Sequence, residues 1–370
     1  MLKMGMVGLG QAGSNICDYA YTKNFNCVVA NTASVDLKLL KYIPEDNRLY
    51  LSNEGAGRNR EIGKQTLINN AEKFHNLCSD KLKNCDVVFV NASGGGGTGS
   101  GAIPVAIDIL SDLFEKINII NILPDKNESP SVQINAYDCF AEISQFEQLG
   151  SVLIIDNNEA RLKNNNKPKY KVLNIANKKY IDILYEINKL TEQTSYTNNF
   201  DKRDFIDILN TRGCLLLSKS IMNENISSED ITSIIQRDWN NNYNPKYDIN
   251  TTVKSSLLIN IKQKLSNKIN ISKIFNNNIP YDIKDSFYNI KDNEITCYTI
   301  LSGLQFPNNR LNEMKQNISK VEDNLIKRIS DSQNQKLKLS NWKINNNLVN
   351  NSHINKSTSL SERLNKYRRG

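Results

Sequence analysis

Apolar residues in this chain come in short dense runs broken by turns, with helically spaced apolar positions between the runs. Lys3–Leu9, Cys27–Ala30, Cys85–Val90, Ile117–Leu123 and Val152–Ile155 read as buried strands. A helix running to about Tyr21 follows the first run, and Ala102–Lys116 carries Ile103, Ile107, Leu110 and Phe114 on one face. Strand alternating with helix predicts an α/β fold around a parallel sheet. From Lys171 to Thr194, the positions Leu173, Ala176, Tyr180, Ile183, Ile187, Leu190 and Thr194 step by three or four, which predicts one long amphipathic helix. Beyond it, Gly213–Ser220, Val253–Ile261 and Glu294–Leu304 are strand-like, and Ser227-Ser228-Glu229-Asp230 opens a helix to about Trp239 with a capping-box pattern. A final helix over Asn308–Gln333 is apolar at Leu311, Met314, Ile318, Val321, Leu325 and Ile329. The expected layout is a Rossmann-like domain over 1–170, a central connecting helix over 171–195, a smaller second α/β domain over 196–307, a C-terminal helix over 308–335 and a tail over 336–370.

Composition narrows the function classes. The 370 residues suffice for two cores, and no run approaches the roughly 18 apolar residues of a membrane helix. The chain runs from Met1 straight into a glycine motif, so no signal peptide is expected and the predicted location is cytoplasmic. Seven cysteines without a C-x-x-C pair suit reduced thiols. With only His75 and His353, histidine triads and multi-histidine metal sites are poor hypotheses, and no metal ligand is assigned. The net charge of +8 is concentrated at the end, where Lys336, Lys338, Lys343, Lys356, Arg363, Lys366, Arg368 and Arg369 face only Glu362. That basic, asparagine- and serine-rich tail is expected to be disordered in isolation. Leu360, Leu364 and Tyr367 fall on one side of a short amphipathic turn within it.

The most informative stretch is Ala92-Ser93-Gly94-Gly95-Gly96-Gly97-Thr98-Gly99-Ser100-Gly101, placed between a buried strand and an amphipathic helix. Glycines there let peptide N–H groups approach a ligand, and the helix start adds partial positive charge; the expected ligand is a phosphate chain. Thr98 and Ser100 can add hydroxyl hydrogen bonds. Gly8-Leu9-Gly10-Gln11-Ala12-Gly13 also fits G-x-G-x-x-G after a strand. A nicotinamide or flavin Rossmann domain would put an acid at the end of the second strand to hold a ribose hydroxyl, but this strand ends in Asn31-Thr32.

Gly95-Gly96-Gly97-Thr98-Gly99-Ser100-Gly101 resembles the signature GGGTGSG of the tubulin/FtsZ superfamily, whose members bind GTP and assemble into filaments. Other stretches are similar to that superfamily's nucleotide loops in order. The first loop corresponds to Gly10, Gln11, Ala12 and Asn15, the second to Asn31-Thr32, and the third to Gly55, Ala56 and Gly57 followed by Arg58-Asn59-Arg60-Glu61-Ile62-Gly63. Arg60 stands where FtsZ has proline, and the third loop normally reaches the γ-phosphate, so Arg58 or Arg60 is a candidate phosphate or subunit contact. Glu128 matches the ribose-facing loop, although Val132 occupies the position of an FtsZ arginine. Asp156-Asn157-Asn158-Glu159-Ala160 resembles a tubulin stretch that touches guanine, with Asn157 and Asn158 as its candidates, and Asn177 falls where the central helix reads the guanine edge.

Asn199-Phe200-Asp201-Lys202-Arg203-Asp204-Phe205 has two readings. Locally, Asp201 caps a helix and Asp204 sits in its first turn. By resemblance to the FtsZ loop N-x-D-x-x-D-V, Asn199, Asp201 and Asp204 serve the next subunit's nucleotide, the carboxylates polarising the attacking water. The resemblance implies a polymerisation-activated GTPase with GTP/GDP and Mg²⁺ as cofactors. The tubulin-like first loop together with the basic tail is most similar to the TubZ group of plasmid and phage DNA partition systems. Self-association, a DNA-binding adaptor held by the tail, and direct DNA contact are the partners it implies, in bacterial or phage-infected cytosol, with no membrane partner. An FtsZ-like cell-division GTPase, a non-hydrolysing polymer and a Rossmann oxidoreductase are the alternatives.

Overall fold

A computed structural model describes residues 1–276, 278–290 and 293–334 of the chain. Met1–Val321 forms one compact unit, and the described part of a second, beginning at Glu322, is the remainder of the last helix. The basic tail expected over 336–370 lies outside the described residues.

Strands and helices alternate through the first half of the chain: β1 (Met4–Leu9), α1 (Gly10–Tyr21), β2 (Asn26–Asn31), α2 (Ser34–Lys38), β3 (Arg48–Tyr50), α3 (Arg60–Asn69), α4 (Ala71–Leu82), β4 (Val87–Ser93), α5 (Thr98–Leu110), β5 (Ile117–Leu123), α6 (Pro130–Ile143) and β6 (Leu149–Asp156). After α7 (Asn157–Lys163), α8 (Lys169–Leu190) and α9 (Lys202–Leu209) come β7 (Gly213–Asn223), α10 (Ser228–Asn240), β8 (Lys254–Asn260), α11 (Ile271–Ile274), β9 (Asp282–Tyr288), β10 (Glu294–Leu304) and α12 (Asn308–Asn334). Among the described residues all the strands join one sheet in the order β3-β2-β1-β4-β5-β6-β7-β10-β8-β9. Pairing is parallel from β3 through β7, antiparallel on both sides of β10, and parallel again between β8 and β9. This is an α/β fold with a mostly parallel sheet.

The strands read as continuous apolar runs because both faces of the sheet are covered. Successive side chains point to opposite faces, so Val88 and Val90 of β4 join one core cluster with Phe74, Ile103 and Ile107, while Val87 and Phe89 join the other with Ile16, Tyr180 and Leu184. All seven cysteines are buried and free. Burial pushes their thiols up where a shift is resolved, to about 12 for Cys139 and Cys297.

The central helix differs from expectation at both ends. It starts two residues early, behind Pro168, and closes at Leu190 rather than Thr194. Asn188 explains the early stop: its side-chain amide pairs with the backbone of Leu2, accepting from its N–H at 2.7 Å and donating to its carbonyl at 2.9 Å. Thr191 then turns its hydroxyl onto the Asn188 carbonyl at 2.8 Å, and the chain leaves the helical path.

At the other end of the sheet the start of α12 is anchored by charge. Arg310, 8% exposed, donates from Nε to Asp156 Oδ2 at 2.8 Å and from Nη2 to the Pro124 carbonyl at 2.8 Å. Burial pushes the Asp156 carboxyl up, and the guanidinium pulls it back down. Removing one partner of a buried pair leaves the other charge stranded. Arg310→Ala is therefore expected to cost about 3–5 kcal/mol in urea unfolding, with part of the loss recovered by adding Asp156→Asn, which keeps the α7 cap but drops the charge.

Candidate nucleotide site

The strand order reverses between β1 and β4, because the chain steps outward through β2 and β3 before returning to the other side of β1. In open α/β sheets a ligand sits at the carboxyl ends of the strands flanking such a reversal. A cleft of about 730 Å³ opens there. It is lined by Gly10, Gln11, Ala12, Asn15, Asn31, Gly55, Ala56, Gly57, Gly95, Gly96, Gly97, Thr98, Gly99, Glu128, Asn157 and Asn177, which are residues nominated from the sequence.

Close main-chain packing shapes the cradle. Gly10 opens α1 at φ +67°, a conformation that disfavours any side chain. At Gly97 a Cβ would lie 2.9 Å from Ala56 Cβ, Arg58 Cα and Asn59 N, so the third loop and the glycine loop rest on each other. Gly96 is different: a Cβ there would find only open space, 3.8 Å from its nearest neighbour, and would take up room the cleft keeps free. With the α5 N-terminus beside it, the loop suits a phosphate chain. The side-chain amides of Gln11, Asn15, Asn31, Asn157 and Asn177 supply donors and acceptors of the kind a purine and its sugar require. Thr98, 8% exposed, joins the second loop to the glycine loop through a 2.6 Å contact with the Thr32 hydroxyl.

Several expected contacts fall elsewhere. Asn158 does not line the cleft; its N–H donates at 2.9 Å to Oδ1 of Asp156, the cap of α7, and its own Oδ1 accepts from Arg161 at 3.2 Å. The helix start turns Asn157 outward and Asn158 inward. Ser100 is fully buried and donates to the Gly96 carbonyl, closing the loop rather than facing a ligand. Arg60 is not a cleft residue, because it donates to the Ser100 carbonyl at 3.1 Å and pairs with Glu142 at 2.9 Å. Where FtsZ has a proline, this chain has a tie between α3, α5 and α6. Val132 does line the cleft.

Sequence reasoning missed Asp36, Lys169, Tyr170, Leu173 and Asn174, all of which line the cleft. Asp36 accepts from Gln11 Nε2 at 3.2 Å and from Asn31 Nδ2 at 3.0 Å, orienting both amides. A carboxylate thus stands near the end of the second strand after all, supplied by α2 rather than by the strand. Tyr170, Leu173, Asn174 and Asn177 form an i, i+3, i+4, i+7 stripe, a signal that continuing the helix back to Pro168 would have exposed. Lys169 Nζ lies 3.4 Å from Glu128 Oε1.

The acids sit at the opposite edge. Lys169 and Asn177 line the cleft, whereas Asn188 of the same helix pairs with Leu2 just before β1, so α8, roughly 33 Å long, runs from one edge of the sheet to the other. The α9 N-terminus follows there, and the amino-terminal ammonium is pulled down by burial and then by the nearby Lys202 charge. Asp201 accepts from the N–H groups of Arg203 at 2.7 Å and Asp204 at 3.0 Å, while Asp204 Oδ2 accepts from Asp201 N at 3.2 Å, completing a capping box. Asn199 Oδ1 accepts from Ser195 N at 3.1 Å. None of the three lines the cleft. Among the described residues no cluster of three or more His, Cys, Asp or Glu could hold a metal ion.

The reversal-point cleft, its glycine cradle and the long helix bordering it describe a nucleotide-binding α/β protein. Residues 3–165 match the model of the Tubulin/FtsZ family, GTPase domain. It is similar to the tubulin-like protein TubZ of Bacillus cereus, 27% identical over 244 residues that cover 60% of this chain and 56% of that protein. It is also similar to the tubulin-like protein CetZ4 of Haloferax volcanii, 34% identical over 178 residues, covering 44% and 45%. The matched region thus spans about half the length of these curated relatives. In fold it resembles a GTPγS-form protofilament structure of Bacillus thuringiensis serovar israelensis TubZ, with TM-score 0.77, 18% identity, and 90% and 95% of the two chains covered. The GDP-bound CetZ1 monomer of Haloferax volcanii superimposes with TM-score 0.69 at 20% identity, covering 87% and 100%.

The loop-on-loop packing at Gly97 makes a direct prediction. Gly97→Ala should leave the far-ultraviolet circular dichroism unchanged but push the third loop away, weakening guanine-nucleotide binding about tenfold or more in a fluorescent-nucleotide titration.

Proposed function

We propose that this chain is a filament-forming GTPase that hydrolyses GTP only where two copies meet head to tail. The observation that carries the reading is the separation along α8: the cleft is at one edge of the sheet, and Asp201 and Asp204 are at the other. No fold of one copy joins them, but an end-to-end contact between copies does, and a heterologous contact of that kind propagates into a filament. In this reading the Gly95–Gly99 loop and the α5 N-terminus hold the phosphates by their N–H groups. Asn157 and Asn177, with Gln11, Asn15 and Asn31, hold the base and sugar, and Glu128 stands on the ribose side. Mg²⁺, when bound, would neutralise phosphate charge through phosphate oxygens and water, a mode that needs no all-protein cage. Asp201 and Asp204 of the next copy orient the water, and Asn199 steadies their loop. Hydrolysis then loosens the contact.

The capping box does not compete with this role. Each carboxylate has oxygen lone pairs to spare beyond those the backbone N–H groups use.

Light scattering recorded with phosphate release should show turnover per molecule rising with protein concentration. Asp201→Asn and Asp204→Asn keep side-chain acceptors for the cap, so the fold should hold. Each is expected to slow phosphate release about 10²–10⁴-fold while filaments still form and persist. Unchanged release from both would refute the assignment.

We further propose that the filament moves DNA, with the basic tail over 336–370 as the grip on a DNA-binding adaptor or on DNA itself. The support is the clustering of positive charge there and the similarity to TubZ. Truncation after Gln335 should spare GTP turnover and abolish DNA recruitment in co-sedimentation, and the recruitment lost should be salt-sensitive. Equal recruitment by the truncated chain would remove this part of the reading.

A further inference from the structure

Strands β6 and β7 pair only over Ser151–Leu153 and Gly213–Leu215. Beyond that point the segment Asn242-Tyr243-Asn244, which lies between α10 and β8, bonds to both strands in place of the ladder. On the β6 side Asn244 Nδ2 donates to the Ile154 carbonyl at 2.6 Å, and the Tyr243 carbonyl accepts from Asp156 N at 2.7 Å. On the β7 side Asn242 Nδ2 donates to the Leu217 carbonyl at 2.5 Å. The segment is a wedge that satisfies backbone groups two parting strands would leave unpaired.

Tyr180 of α8 holds the wedge. Its hydroxyl accepts from Tyr243 N at 3.0 Å, and its single proton has Asn244 Oδ1 at 2.9 Å and Asn242 Oδ1 at 3.1 Å as acceptors. Tyr180 is fully buried, and Asn242 and Asn244 are 1% and 4% exposed. A buried network of this kind fixes one arrangement of the segments it joins, because any other strands a donor or an acceptor.

What the wedge fixes is α7. Asp156, whose N–H it binds, is the cap of that helix; at the far end Lys163 Nζ donates to the Asn242 carbonyl and Asn164 Nδ2 to the Tyr243 hydroxyl at 3.1 Å. The helix is bracketed at both ends, and its first residue is Asn157, which lines the cleft. We propose that Tyr180 is a positioning residue for the nucleotide base: acting through the wedge, it sets the direction in which Asn157 faces the cleft. The second half of the chain thereby takes part in base recognition, although no described residue beyond Asn177 lines the cleft. This rests on the nucleotide reading above.

The test measures GTP and inorganic tripolyphosphate on the full chain, by competition against a fluorescent guanine nucleotide, in the wild type, Tyr180→Phe, Asn157→Ala and the double variant. Tyr180→Phe keeps the ring and removes the hydroxyl. It should weaken GTP about three- to tenfold, the weight of one hydrogen bond, and leave tripolyphosphate nearly unchanged, since the glycine loop is tied elsewhere through Asn135 and Ser100. In the Asn157→Ala background the same substitution should add nothing, because both act on one contact. Asn164→Ala, at the half-buried rim of the wedge, should show the same pattern at about twofold, and it decides the matter if Tyr180→Phe does not fold. Equal loss of both probes, effects that add in the double variant, or an Asn157→Ala chain that binds GTP as the wild type does would each overturn this inference while the phosphate cradle stands. A wild type that binds no GTP overturns the nucleotide reading with it.

Discussion

A main chain can lie directly on another main chain only where a side chain is missing, and the cleft is built on that constraint. Gly97 meets the third loop, and Gly101 on α5 packs so close to the Arg60 carbonyl that a Cβ would sit 2.0 Å from it. These contacts bring loops from distant parts of the sequence into one cradle. Around them are ties that turn carbonyls away from the cleft: Asn135 to Arg58, Gly95 and Gly96, Ser100 to Gly96, and Arg60 to Ser100. Each carbonyl drawn back favours a neighbouring N–H facing forward. The glycines therefore serve the packing of loop on loop at least as much as the approach of a ligand.

A second constraint is the length of α8. Its apolar stripe, Val172, Ala176, Tyr180, Ile183, Leu184 and Ile187, is buried against one face of the sheet, which fixes its direction across the strands. Its two ends do different work. One end contributes Lys169, Tyr170, Leu173, Asn174 and Asn177 to the cleft; the other, through Asn188 and Leu2, delivers the chain to the acidic helix start on the far edge. Burying one long helix holds the cleft and the acidic helix start at a fixed separation, and the proposed head-to-tail contact rests on that separation.

Much of this was legible beforehand where the local signal and the fold's demand coincide. The strands stood out because a sheet covered on both faces needs unbroken apolar runs, and the cleft loops because glycine clusters between strand and helix have few other uses. Legibility failed where a residue's role depends on which way it faces after packing. Asn157 and Asn158 are chemically identical neighbours, yet one lines the cleft and the other is 2% exposed and turned inward to Arg161. Arg58 and Arg60 looked alike as phosphate contacts, and the Glu142 and Ser100 partners that take Arg60 away lie far from it in sequence. Asp36 could not be picked out because nothing near it in the chain marks it as the hinge between Gln11 and Asn31.

By itself, then, the sequence determined the alternation of strand and helix, the glycine loops and their order, and the capping pattern of Asp201 and Asp204, since each depends on residues a few positions apart. The tertiary structure alone decided the order of strands in the sheet, the reversal that opens the cleft, the pairing of Arg310 with Asp156, and which polar side chains face the ligand space. Those outcomes depend on burial and on partners more than a hundred residues away in some cases, and a buried charge or amide takes whatever partner the packed core leaves within reach.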